Sequence, residues 1–132
     1  MEWYLMVWRK YADFTGRSRR KEYWIFTLVN IVIALVLELL IFASFTTTRG
    51  SALGAMFGIL FAVYGLAALV PSLAVCARRL HDIGMSGWLM LIGLIPALGG
   101  IALIVLCALD GNPGPNQYGP NPRLIQPMTT RY

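Results

Sequence analysis

From Ala52 to Ala77 the chain runs for 26 residues without a charged side chain, and no other feature restricts the fold as strongly. As an α-helix at about 1.5 Å per residue, this run is longer than the ~30 Å hydrocarbon core of a bilayer. Lipid offers no partner to a backbone N–H or C=O, so a helix is the form such a run takes there. Two further apolar runs flank it. Tyr23 to Phe45 holds 23 residues with one charge, Glu38, and Trp88 to Leu109 holds 22 residues interrupted by Pro96 and by Gly99-Gly100. The first exceeds the ~7–15 residue apolar stretch of a secretory signal and lacks an A-x-A-like cleavage site, so it is expected to persist in the mature protein.

The segment before these runs has a different pattern. Between Met1 and Phe14, the residues Tyr4, Val7, Trp8, Tyr11 and Phe14 recur at spacings of three and four, with polar residues mostly between them. This predicts an amphipathic helix too short to span, lying in the membrane interface. Gly16 ends it, Ser18 is placed to cap the next helix, and Tyr23 and Trp24 suit the interface at the mouth of the first span. The predicted fold is an all-α integral membrane protein with three transmembrane helices (23–45, 52–77 and 88–109), preceded by a short interfacial helix. Residues 110–132, rich in Gly, Pro and Asn, are expected to form an extended, turn-rich tail.

Composition agrees with that class and narrows the partners. Apolar residues make up 58% of the chain and charged residues 13%, with a mean hydropathy of +0.65, against about 45–50% and 25% in soluble domains. The net charge of +5 does not indicate nucleic acid, because the basic residues border apolar runs instead of forming an interleaved basic face. Counting Lys and Arg in a three-span topology places eight with the amino terminus and the second loop, and three on the other side. The positive-inside rule then puts the amino terminus in the cytoplasm. If the third run enters and returns on one side, the count becomes ten to one. The three-span arrangement also predicts that Cys76 and Cys107 lie at opposite faces of the membrane, too far apart to bridge.

The polar residues are concentrated from Arg78 to Trp88, a segment that holds the single histidine. Helical spacing pairs Arg78 with Asp82 and with His81, and Arg79 with Asp82. Gly84 suits a left-handed helix terminus, Ser86 is placed to cap the third run, and Trp88 anchors it at the interface. The topology brings this turn to the same face as Arg17, Arg19 and Arg20. Guanidinium groups bind phosphate through paired hydrogen bonds, so Arg17, Arg19, Arg20, Arg78, Arg79 and His81 are the candidate site for an anionic lipid head group or a partner.

Enzymatic activity is not expected. His81 and Asp82 are adjacent on a helix and point about 100° apart, no nucleophile is placed by motif, and no phosphate loop, metal motif or cofactor fingerprint occurs. Within the membrane, Glu38 is a costly group. It is expected near the depth of Gly99-Gly100, bonding the broken third helix or taking up a proton. Small residues at Gly50, Gly54, Gly58 and Ala62 form a stripe suited to helix packing, within the chain or between copies. The leading functional reading is a non-enzymatic binding or accessory protein. The alternative is an oligomeric transporter or channel unit that uses Glu38.

Phe14 to Trp24, Arg78 to Trp88, and Gly111 to Arg123 together resemble three ordered motifs of the bacterial inner-membrane family grouped as domain of unknown function 805. The resemblance covers about residues 3–123 and implies a helical protein of the bacterial cytoplasmic membrane. It implies no reaction and transfers no functional residues.

Overall fold

The computed structural model describes residues 1–47 and 50–125. Its elements in chain order are α1 (Glu2–Arg9), α2 (Arg20–Phe45), α3 (Gly50–Asp82), a 3-10 segment (Gly87–Leu94), α4 (Leu98–Ala108) and α5 (Pro122–Ile125). Helices α2 and α3 form an antiparallel pair. The Glu22 carboxylate meets Arg78 at one end, Tyr64 donates to Asn30 midway, and Gly54 packs against Ser44 and Phe45 at the other. At about 1.5 Å per residue both exceed the hydrocarbon thickness. Their outer faces are apolar and uncovered, Leu66 being 71% exposed and Phe42 69%. A lipid-facing surface has that composition, whereas a soluble core helix would be covered.

Helix α1 is shorter than the predicted 1–14 and packs on the pair. Its apolar stripe turns inward, with Val7 fully buried against Phe26 and Val75. Tyr4 stacks on Phe26 and bonds the Tyr64 hydroxyl at 3.2 Å. Ser18 does not cap α2. The helix begins at Arg20 with Arg19 in the cap position, and the Ser18 N–H is spent on the Arg78 carbonyl.

The third apolar run departs most from expectation. It does not cross as one helix. Ile95 is extended before Pro96, as the proline ring requires of its predecessor. Ala97 then takes a φ of +64° and reverses the chain. The 11-residue α4 is about half a bilayer long. It folds back on the 3-10 segment, with Leu103 over Gly93 and Gly99 against the Ile92 carbonyl. Both ends of the run consequently lie at the same end of α3. Cys107 shares one buried cluster with Cys76 and Leu80, and the Asn112 N–H donates to the Asp82 carbonyl at 2.8 Å. The expected separation of Cys76 from Cys107 is overturned by the same reversal.

Other expectations resolve locally. Of the small-residue stripe, Gly54 touches α2, a Cβ on Gly58 would meet nothing within 4 Å, Ala62 is exposed, and the surroundings of Gly50 lie outside the described residues. Glu38 is exposed on α2 and makes no bond to α4 or to any other described residue. The tail is a strap over the end of α3, folded by an Asn116–Gly119 bridge and closed by α5. Its remainder beyond residue 125 lies outside the described residues.

Candidate functional site: an arginine knot and a basic basin

Gly16, at a φ of +78°, turns the chain so that Arg17 lies across the end of α3. Arg17 donates from Nε to Asp82 Oδ1 at 2.9 Å, from Nη2 to the carbonyls of Asn112 and Asp82, and from Nη1 to those of Gly114 and Gly119. One helix end and the whole strap thereby close on a single guanidinium. Arg79 donates to the other Asp82 oxygen, to the Cys107 carbonyl at 2.9 Å and to the Leu109 carbonyl, which fixes the returning end of α4. Arg78 pairs with Glu22 of α2 at 2.9 Å and bonds back to the Ala74 carbonyl. Gly111 packs so closely on Asp82 that a Cβ there would fall 2.0 Å from Oδ2.

This geometry corrects the predicted site. Arg17, Arg78 and Arg79 are buried, and all their donors but one, Arg78 Nη2, face protein acceptors. A guanidinium withdrawn from water needs a counter-charge and acceptors, and here Asp82, Glu22 and the strap carbonyls supply them. The predicted Arg79–Asp82 pair forms, but Arg78 turns to Glu22 instead of Asp82. Among the described residues, the Arg78 Nη2 and Ser18 Oγ atoms are buried without a hydrogen-bond partner. His81 is also part of the frame. Its Nδ1 faces the Gly16 carbonyl at 3.1 Å, its ring stacks on Tyr118 at 3.9 Å, and its own carbonyl accepts from Asn116. Gly84 takes the expected left-handed φ, +81°, and Ser86 accepts from the Trp88 N–H at the head of the 3-10 segment.

The remaining predicted cations behave differently. Arg19, Arg20 and Lys21, joined by Arg123 from the strap, line an open basin of about 470 Å³. Arg19 is steadied by the Pro122 carbonyl and lies over the Trp3 ring. Asp110 bridges Arg20 at 2.7 Å and Arg123 at 3.2 Å, with the three side chains 73%, 42% and 52% exposed. The two arginines hold the Asp110 carboxyl below the usual carboxylate range. Sequence reasoning missed Glu22, Asp110, Gly111, Asn112 and Arg123. The available signals were a lone acid inside the basic turn and a tail dense in exposed carbonyls.

Apolar faces on α2 and α3, joined by a buried polar knot at one end, define a small helical membrane protein. The chain belongs to the family described as protein of unknown function (DUF805), whose pattern matches residues 11–120. It is 44% identical over 124 residues to inner membrane protein YhaH of Escherichia coli strain K12, covering 94% of this chain and 98% of that protein. It is 37% identical over 123 residues to inner membrane protein YhaI of the same strain, covering 93% and 97%. No solved structure matches.

Proposed function

We propose that this chain is a non-enzymatic, multi-pass protein of the bacterial cytoplasmic membrane that binds phosphate-bearing head groups in the basin of Arg19, Arg20, Lys21 and Arg123. The observation that carries this reading is an open basin with four cationic side chains and one competing carboxylate, Asp110, beside the ends of two apolar helices. Guanidinium groups pair with phosphate oxygens in a bidentate way, and an exposed site beside the lipid surface adds the attraction of anionic head groups. The buried knot then acts as the frame that brings Arg123, from the strap, to the start of α2.

The orientation follows from the return of the third run. All nine lysines and arginines among the described residues fall on the side of the basin. The positive-inside rule assigns that side to the cytoplasm, together with both termini. The test is native mass spectrometry of the protein in mild detergent with phosphatidylglycerol and phosphatidylcholine. Anionic adducts should dominate and should disappear from an Arg20→Gln, Lys21→Gln, Arg123→Gln variant. Unchanged adducts in that variant would remove the basin from the reading.

Glu38 favours a second property, self-association. A carboxyl exposed within an apolar span costs about 2.5–3.5 kcal/mol in lipid, and a second copy can cover it. The same spectra report copy number, and a monomer under all conditions would rule this out.

A further inference from the structure

A groove of about 570 Å³, which shares no lining residue with the basic basin, runs between the end of α3, the 3-10 segment and the strap. Its size falls within the ~300–1,000 Å³ typical of small-molecule sites. Leu73, Ala77, Met90 and Trp88 are among its apolar walls, and His81 and Ser86 are among its polar groups. Among the described residues no lysine, arginine, aspartate or glutamate lines it, because Arg79 and Asp82 from the same turn are consumed in the knot.

The protonation pattern of His81 is fixed by its neighbour. The Gly16 carbonyl can only accept, so Nδ1 carries the proton, and in the neutral ring Nε2 is left as an acceptor. Nε2 has no hydrogen-bond partner among the described residues. Gly87 packs close beside the ring: a Cβ there would lie 3.0 Å from Nε2 and 3.1 Å from the Ala77 Cβ, so a side chain at this position would crowd the imidazole edge. Stacking on Tyr118, with rings 6° from parallel, holds the imidazole in place. An oriented acceptor on the edge of a groove with uncharged walls selects a neutral hydroxyl group. Leu73, 38% exposed, and Trp88, 75% exposed, continue the groove onto the apolar exterior, which selects an apolar tail on the same molecule.

We propose that this groove binds an uncharged amphiphile with a hydroxyl head, the hydroxyl donating to His81 Nε2 and the tail lying along Leu73 and Trp88. Two membrane sources share that chemistry, glyceride lipids and phenolic prenyl lipids. The inference does not depend on the basic basin.

The chain has a single histidine, so histidine-selective ¹⁵N labelling reports Nε2 and Nδ1 without overlap. The full-length protein in phosphatidylcholine nanodiscs is titrated with monoolein, with a decyl-substituted quinol, and with dodecane as a control without a hydroxyl. The expected result is a saturable upfield movement of Nε2, with Nδ1 unmoved, for one or both hydroxyl probes and not for dodecane; the probe that succeeds identifies the source. Gly87→Leu, which fills the groove, should abolish the response. Trp88→Ala, an exposed change that leaves the knot intact, should weaken it several-fold and serves if Gly87→Leu does not fold. No movement with either hydroxyl probe, an equal response to dodecane, or a full response in both variants would overturn the proposal.

Discussion

The Arg17 guanidinium and the Asp82 carboxylate are 65 positions apart in sequence and 2.9 Å apart in space, with 1% and 4% of their side chains exposed. Asp82 holds Arg79 with its second oxygen, so one acid serves two buried cations from two parts of the chain. Removing one partner of a buried pair leaves an uncompensated charge and typically costs about 3–5 kcal/mol. Asp82→Asn, which keeps the volume and removes the charge, should therefore destabilise the fold by about that amount. Denaturant unfolding in mild detergent measures it, and a variant as stable as the parent would mean that backbone carbonyls alone, from the strap for Arg17 and from the end of α4 for Arg79, hold both arginines.

Arg79 should not tolerate lysine. Its planar fork reaches three acceptors, Asp82, the Cys107 carbonyl and the Leu109 carbonyl. An ammonium is a compact point charge that cannot reproduce this geometry. Arg79→Lys should leave one or two buried carbonyls unbonded, at about 1–3 kcal/mol each. The loss should be local first, appearing as faster amide hydrogen exchange from residue 105 to residue 112 before the α2–α3 pair responds. Uniform exchange across the chain would contradict that order.

Adjacent glycines give an internally controlled test of the hairpin. A Cβ on Gly99 would fall 1.8 Å from the Ile92 carbonyl oxygen, whereas one on Gly100 meets nothing within 4 Å. Gly99→Ala should force the two arms apart and cost about 1–3 kcal/mol. Gly100→Ala should be neutral or stabilise by up to about 1 kcal/mol, since alanine is the better helix former. Equal melting temperatures for the two variants would mean that the arms do not pack as described.

How much of this was legible in the sequence differs from element to element. The long runs that became α2 and α3 were readable because length and the absence of charge suffice to define a membrane helix. Gly84, Ser86 and the turn at Gly16 were readable because backbone sign and capping are local properties. The return of the third run was readable only as an alternative: Pro96 marks a break, but a break alone does not separate a kink from a reversal. What decided it was Ala97 at positive φ and the long-range attachment of Leu109 and Asn112 to Arg79 and Asp82. The arginine knot was misread for the same reason. The burial of Arg17 depends on carbonyls 95 to 102 positions away, and helical spacing carries no information about those.

The return hairpin predicts a specific topology. With Leu109 and Asn112 bonded at the Asp82 end of α3, a reporter fused after Tyr132 should share a compartment with one fused before Met1. A fluorescent protein that matures only in the cytoplasm should be bright at both positions. Alkaline phosphatase, which is active only outside, should be active when inserted near Thr47 and silent at the carboxyl terminus. Phosphatase activity at the carboxyl terminus would restore a crossing third helix.

Asp110 pairs with two of the four basin cations, Arg20 and Arg123, and so competes with any anion they would bind. Arg20 and Arg123 lower its pKa from the ordinary 3.8 by hydrogen bonding and charge. Because the folded value is the lower one, the contribution of the two ion pairs is fully present above the unfolded value and is lost as pH falls through the folded one. At neutral pH the carboxylate is charged and holds both arginines away from other anions. Asp110→Asn should therefore tighten the binding of anionic vesicles several-fold without a measurable change in thermal stability, since the pair is exposed and screened. The gain should diminish at high salt and should disappear when Lys21→Gln and Arg123→Gln are added. Vesicle co-flotation with phosphatidylglycerol against phosphatidylcholine reads all three effects. Weaker binding by Asp110→Asn would mean that the acid positions the basin arginines for the ligand instead of competing with it.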